Sequence, residues 1–421
     1  MYKKTILDNG LDIITQNMPH THSVSIIFLL EVGSRYETDA EGGAAHFIEH
    51  MVFKGTEKRP TAHEISRAIE GVGGILGAGT GRETTVFWVK VAEPHLPIAL
   101  DVLVDMLRNP LFEAQEMEKE AQVISEEINM SLDTPSELLY LLAYEQLWPE
   151  HPLGRDIAGT RESVAALRRD ALLDYLSRHY GSNRAVVSLA GNLEHEHIVD
   201  SLAQYLGDWQ PVETAAFLPA PDSHTQPRLI VHHRETEQAQ IHIGVPGLPI
   251  SHPDRFALRL LNTVLGAGMS SRLFQEIRER RGLAYSVNSF SEMLLDTGLV
   301  GMYAGVSPVQ AVSAVEAMLA EWDRLRQEAV PIKELHKARE YLKGRMLLSL
   351  EDSISYASWW GRQEIAHQTL ETPDQVMARL DAVTPQMIQS VAQNLFLKDR
   401  LNMVIVGPFQ DQAPFQAALR L

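Results

Sequence analysis

None of the 421 residues is cysteine. Disulfides, thiolate nucleophiles and cysteine-held zinc are therefore excluded, and any metal must be held by His, Asp or Glu. Positive charge is also scarce. Lys and Arg number 37 against 55 Asp and Glu, a formal net charge of −18. Such a chain repels phosphate backbones, so nucleic acid is not an expected partner. Long hydrophobic runs are missing too. No stretch approaches the roughly 20 apolar residues of a membrane span, and no membrane association is expected. Lys3 and Lys4 resemble the start of a secretory signal, but Asp8, Asn9, Gly10 and Asp12 break any apolar core behind them. A cytoplasmic location is the expectation. Asn9-Gly10 reads instead as a hairpin turn. What remains is ordinary globular material, 45% apolar and 22% charged, enough for two substantial cores.

Residues 210–228 carry Pro211, Pro219, Pro221 and Pro227 without sustained periodicity, the mark of a linker. The expected division is 1–209 and 229–421, joined by that linker. The halves share a faint pattern at an offset near 214. An alternating strand over 86–92, a proline at 94 and a helix to about 107 are matched by a strand from 299, a proline at 308 and a helix to about 325. A glutamate-rich helix over 113–130 has its counterpart over 332–348. This predicts an internal duplication. Further strands are expected over 24–32 and 184–190 and a helix over 44–53. Thr61-Ala-His-Glu64 is a capping box opening a helix that Gly71 ends. Strands and helices are not regularly interleaved. The fold class is therefore α+β, two similar domains, each a largely antiparallel sheet packed with helices.

The run His46-Phe-Ile-Glu49-His50 carries the first candidate chemistry. On a helix, His46 and His50 stack on one face at i and i+4, a spacing at which two imidazoles can share one zinc ion. Glu49 lies beside them, placed to activate a metal-bound water. Two solvated histidines on an ordinary helix are the alternative reading of these five residues. In the helix over 113–130, Met117, Ala121, Ile124 and Ile128 form an apolar stripe, and Glu120 and Glu127, two turns apart, fall inside it. Glu126 points to the polar face. A carboxylate on a buried stripe needs a partner, and a metal or a ligating histidine is one way to supply it. His195, His197, His232 and His233 read as surface features.

These residues resemble the inverted-motif zinc peptidases, the family of pitrilysin, insulysin and the mitochondrial processing peptidase. The run from Gly43 to Thr56 is similar to the family's H-x-x-E-H signature, and Glu127 stands where that family has a ligand about 75 residues downstream. The likeness extends through Gly73-Gly74, Thr80 and Glu83, His151-Pro-Leu-Gly154, and the stretches 266–274 and 278–285. The resemblance implies His46, His50 and Glu127 as ligands of one zinc ion per chain. It implies Glu49 as general base, Glu120 as a carboxylate behind the ligands, and Arg278 and Tyr285 as a pair that grips the substrate. It implies a zinc endopeptidase acting on peptides or unfolded segments, and a homodimer in which each zinc site is completed in trans by the partner's second half. The other class within the family is a non-catalytic scaffold or substrate-binding subunit, usually marked by a lost zinc ligand. A structural zinc site has no need of Glu49.

One departure stands out. Where the family has an asparagine on an edge strand near the bound peptide, this chain has Gly77, followed by Ala78. The backbone at Gly77 and Ala78 can still pair with a peptide. The missing amide predicts lower or altered peptidase activity, and an asparagine at 77 is expected to strengthen peptide capture.

Overall fold

The computed structural model describes residues 2–419 except Thr214, Ala215, Asp222, Ser223 and Gln368. Strands β1 (Tyr2–Ile6), β2 (Asp12–Asn17), β3 (Ser23–Leu30), β4 (Ile75–Thr80), β5 (Thr85–Ala92) and β6 (Ala185–Gly191) form one sheet in the order β1-β2-β6-β3-β5-β4. Strands β7 (Arg228–His233), β8 (Ala239–Pro246), β9 (Ala284–Met293), β10 (Gly298–Val306) and β11 (Asn402–Gly407) form another in the order β7-β11-β8-β10-β9. Helices α1 (Ala44–Val52), α2 (Ala62–Glu70), α3 (Leu96–Arg108), α4 (Ala114–Asp133), α5 (Pro135–Leu147), α6 (Arg161–Ala166), α7 (Arg169–His179) and α8 (His195–Leu206) lie in the first half of the chain. The second half holds α9 (Arg255–Gly266), α10 (Ala311–Gln327), α11 (Ile332–Ser349), α12 (Ser353–Ile365) and three further helices. No helix among the described residues is long and apolar enough to cross a membrane.

The duplication expected from the sequence is written in the topology. Set against β7-β11-β8-β10-β9, the run β2-β6-β3-β5-β4 repeats the order. The parallel pair β2/β6 is matched by β7/β11, and the other neighbouring pairs are antiparallel. Each sheet is thus mixed, with a single parallel pair. Thr61 and Glu64 form the expected capping box of α2.

The contiguous division at the linker is not how the chain partitions. One unit comprises Met1–Ile128, Arg155–Leu218 and Leu347–Leu370, and the other Asn129–Gly154, Pro219–Met346 and Glu371–Leu421. The reason lies in strand β3. Its even positions Val24, Ile26, Phe28 and Leu30 enter one core, shared with α1, α3 and α8. Its odd positions Ile27 and Leu29 enter another, which also holds Ala357, Trp360 and Ile365 of α12. A strand apolar on both faces needs cover on both. Helix α12, from the second half of the chain, supplies the second cover. Ser353 bonds Ser25 Oγ at 2.9 Å, and Gly361 has no Cβ because one would lie 2.4 Å from Leu29 Cδ1. The second sheet borrows in the opposite sense, with Leu138, Leu139 and Ala143 of α5 packing on Val404 and Val406.

Under α5, His242 on β8 is 1% exposed, and neither ring nitrogen has a hydrogen-bond partner. It sits 5.5 Å from the Phe290 ring and 6.1 Å from the Tyr140 ring. Burial lowers its pKa to about 4. As pH falls below about 6.5 the unfolded chain takes up this proton first. Stability is then lost until the folded state can bind the proton near pH 4. His242→Phe removes the titration and keeps the ring. Relative to wild type, the variant is expected to gain on the order of 1–2 kcal/mol at pH 5 over its difference at pH 8. Denaturant unfolding at the two pH values measures this, and an equal difference at both would refute it.

Candidate functional site

Helix α1 divides its residues by face. Ala44, Ala45, Phe47, Ile48, Met51 and Val52 are buried in the core. His46, Glu49 and His50, spaced i, i+3 and i+4, are left on the opposite face. Glu37 fixes the start of the helix, its carboxylate accepting from the backbone N–H of Gly43 at 2.9 Å and of Ala45 at 2.8 Å. Gly43 sits at φ 91°, and a Cβ there would meet Ala158 O at 2.5 Å. The amide donors and the close approach together hold the first turn in place.

Helix α4 carries the carboxylates as its stripe predicts. Met117, Glu120, Ile124 and Ile128 are buried, Glu127 is half-buried and Glu126 exposed. Glu127 Oε2 lies 3.5 Å from His50 Nε2 and 3.8 Å from His46 Nε2. In this group each residue offers one ligand atom, all within 4.8 Å of one another, and no other such group occurs among the described residues. A tetrahedral zinc with bonds of about 2.0–2.1 Å has ligand–ligand edges of roughly 3.3–3.5 Å. Two imidazoles and a carboxylate at these separations fit zinc in donor type and in spacing. Burial, and then the neighbouring His50, lower the pKa of His46 to about 4, so its ring stays neutral, as a ligand must be.

Behind this cluster runs a chain of contacts that holds His50. Its Nδ1 is 3.0 Å from Glu120 Oε2, and Glu120 Oε1 is 2.6 Å from Lys54 Nζ. An Nδ1–H donated to the carboxylate leaves the Nε2 lone pair facing Glu127 and His46. Lys54 was not among the residues singled out by sequence, although its i+4 spacing from His50 was the available signal. Thr80 was quoted only as part of a match, yet its hydroxyl donates to Glu49 Oε2 at 2.5 Å. Burial raises the Glu49 pKa, and the Thr80 hydrogen bond opposes that rise.

The remaining candidates lie apart from this cluster in sequence and role. Arg278 sits on a π-helical turn, Phe274–Arg280. Its guanidinium lies over the Tyr285 ring at 4.8 Å and the Phe274 ring at 4.9 Å, and Nη1 donates to Tyr285 O at 2.7 Å. The structure thus brings Arg278 and Tyr285 together, with Tyr285 74% exposed. Gly77 and Ala78 fall on β4, the edge strand of the first sheet. Ala78 packs toward the core. Gly77 is not simply a vacancy: a Cβ there would lie 2.6 Å from Trp88 Cζ2. An asparagine at 77 would have to displace the indole of Trp88 to reach a bound peptide. His195 is held between the hydroxyls of Thr5 and Thr15, each at 2.8 Å.

Comparison with known proteins adds independent findings. Residues 12–161 match the family described as Insulinase (Peptidase family M16), and residues 166–342 the one described as Peptidase M16 inactive domain. An uncharacterized zinc protease of Streptomyces coelicolor is 36% identical over 416 residues, covering 97% of this chain and 90% of the relative. An uncharacterized zinc protease of Bacillus subtilis is 36% identical over 399 residues, covering 95% and 97%. Among solved structures, a protease from Helicobacter pylori superposes with a TM-score of 0.91 at 22% identity, covering 97% of this chain and 99% of that one. A peptidase M16 inactive domain from Pseudomonas fluorescens gives the same TM-score at 18% identity, covering 97% and 98%. These two likenesses speak to the fold.

The geometry predicts one zinc ion per chain. Equilibrium dialysis of the metal-stripped protein should saturate at that ratio, and His50→Ala should abolish binding. Lys54→Met and Glu120→Gln should each weaken affinity about 10–100-fold, the usual effect of removing a group that orients a ligating histidine. Wild-type affinity in both would show that this chain does not orient His50.

Proposed function

Since the chain belongs to the insulinase (M16) family of peptidases, we propose that it is a zinc-dependent endopeptidase hydrolysing peptides or unfolded polypeptide segments. The observation that carries this reading is the convergence of Glu127 from α4 on His46 and His50, with Glu49 on the same face of α1 as the two histidines. His46, His50 and Glu127 would hold the ion. When bound, zinc supplies an acidified water and polarises a carbonyl oxygen.

The chain's own residues do the rest. Glu49 receives a proton from the attacking water on its carboxylate and returns it to the nitrogen of the leaving amine. Thr80 holds the Glu49 carboxylate through its hydroxyl at Oε2. Lys54 and Glu120 keep His50 in the tautomer that presents Nε2. Arg278 and Tyr285 hold the substrate, Arg278 pinned to the Tyr285 carbonyl and Tyr285 presenting an exposed ring and hydroxyl. The alternative, a non-catalytic binding subunit, is disfavoured because all three ligand residues and Glu49 are present.

Glu49→Gln removes the base and leaves the ligands. It should retain zinc and lose at least about 100-fold in hydrolysis of a quenched peptide, the low end of what general acid–base catalysis contributes. Cleavage at the wild-type rate would refute the mechanism.

We further propose a homodimer in which each zinc site is completed by Arg278 and Tyr285 of the partner. The support is that the metal-binding group and the Arg–Tyr pair both occur in one sequence, and a two-fold pairing presents each to the other chain. Mixing Glu49→Gln with Tyr285→Phe protein under subunit exchange should then restore activity, since the mixed dimer regains one intact site. No recovery despite proven exchange would exclude completion in trans.

A further inference from the structure

Strand β4 pairs with β5 on one side only, so its other edge has no strand partner among the described residues. It ends at Thr80, whose hydroxyl holds Glu49. The free edge therefore runs up to the candidate base, and an extended peptide pairing there would pass that carboxylate. Successive residues of β4 alternate between faces. Leu76 and Ala78 join the core shared with α1, while Ile75, Gly77 and Gly79 face the other way. On that second face the register sets Lys90 opposite Ile75, Trp88 opposite Gly77 and Val86 opposite Gly79.

We infer that Trp88, reaching across Gly77 beside the open space at Gly79, forms an apolar specificity subsite taking large aromatic or aliphatic side chains of a peptide extended along β4. The inference rests on the peptidase reading. The indole atoms Cζ2, Cε2 and Nε1 lie 2.6, 2.8 and 3.1 Å from where a Gly77 Cβ would be. The ring thus lies over the β4 backbone instead of stopping at its own strand, and any side chain at 77 would push it back. Trp88 is half-buried, one side packing on the cluster that contains Ala357 and Trp360. A Cβ at Gly79 would meet nothing within 4 Å, and Ile75 is 54% exposed. Lys90 is tied to Asp352 at 2.8 Å, which leaves the middle of the trough apolar.

Cross-strand neighbours share a face. The side chain of an added strand that faces Gly77 therefore lies against the indole, and the one two residues away enters the space over Gly79 beside Val86. Gly77 is three residues from Thr80, roughly 10 Å along the strand. The indole contact is accordingly about three residues from the scissile bond.

The test is cleavage-site profiling of a randomised 12-residue peptide library by zinc-loaded, full-length protein, with products read by mass spectrometry. Wild type should favour Phe, Tyr, Leu or Met over Ala by roughly tenfold about three residues from the cut. Trp88→Leu should reduce the aromatic-to-alanine ratio severalfold at that position. Gly77→Ala, which displaces the indole, should do the same, and Gly79→Val should shift the alternate position toward small residues. Each ratio is internal to one enzyme preparation and does not depend on how much of it is folded. A flat wild-type profile, or one unchanged in all three variants, overturns the subsite and leaves the peptidase reading intact. A library left uncut by the zinc-loaded wild type overturns the peptidase reading, and the subsite with it.

Discussion

A carboxylate set into an apolar stripe must find partners, and the two that Glu120 finds organise the candidate site. On one oxygen it meets Lys54, on the other the Nδ1 of His50. Its charge is thereby compensated where solvent reaches only 6% of its side chain. The same pair of contacts joins α4 to α1 and to the turn that follows it. Because Glu127 lies two helical turns beyond Glu120, fixing Glu120 against His50 brings Glu127 to the Nε2 atoms of both histidines. The neutral state of His46 follows from the same burial. The placement of Glu127 beside the two histidines and the packing of α4 on α1 thus both depend on the buried contacts of Glu120.

The sheets impose the larger constraint. Strand β6 is buried along its whole length and β3 everywhere but Ser23, so each face of the first sheet needs a cover. One cover bears α1 and with it the face that carries His46, Glu49 and His50. The other is α12, taken from the far half of the chain. The exchange of α12 and α5 means that neither sheet is completed by its own contiguous segment. The edge at β4, like that at β1 at the opposite end of the first sheet, has no strand partner among the described residues. Beyond Ile75, the glycines at 77 and 79 put no side chain on the face of β4 where Trp88 spreads.

Much of this was legible from residue order. Local periodicity determined the helix bearing His46, Glu49 and His50, and the stripe on α4 that admits Glu120 and Glu127 but turns Glu126 outward. It also determined the α+β class and the repeated strand–proline–helix pattern. Those features depend on neighbours three or four residues apart in the chain, which sequence spacing encodes directly. The conjunction of His46 and His50 with Glu127 was inferred only through resemblance, since 76 residues intervene. The tertiary structure alone decided that Lys54 neutralises Glu120, that Thr80 holds Glu49, and that the domains trade helices across the linker. It alone decided that the missing side chain at Gly77 is replaced by the ring of Trp88. Each of these depends on which strand or helix lies beside which, and that is set by the burial of both sheet faces together, not by any local run of residues.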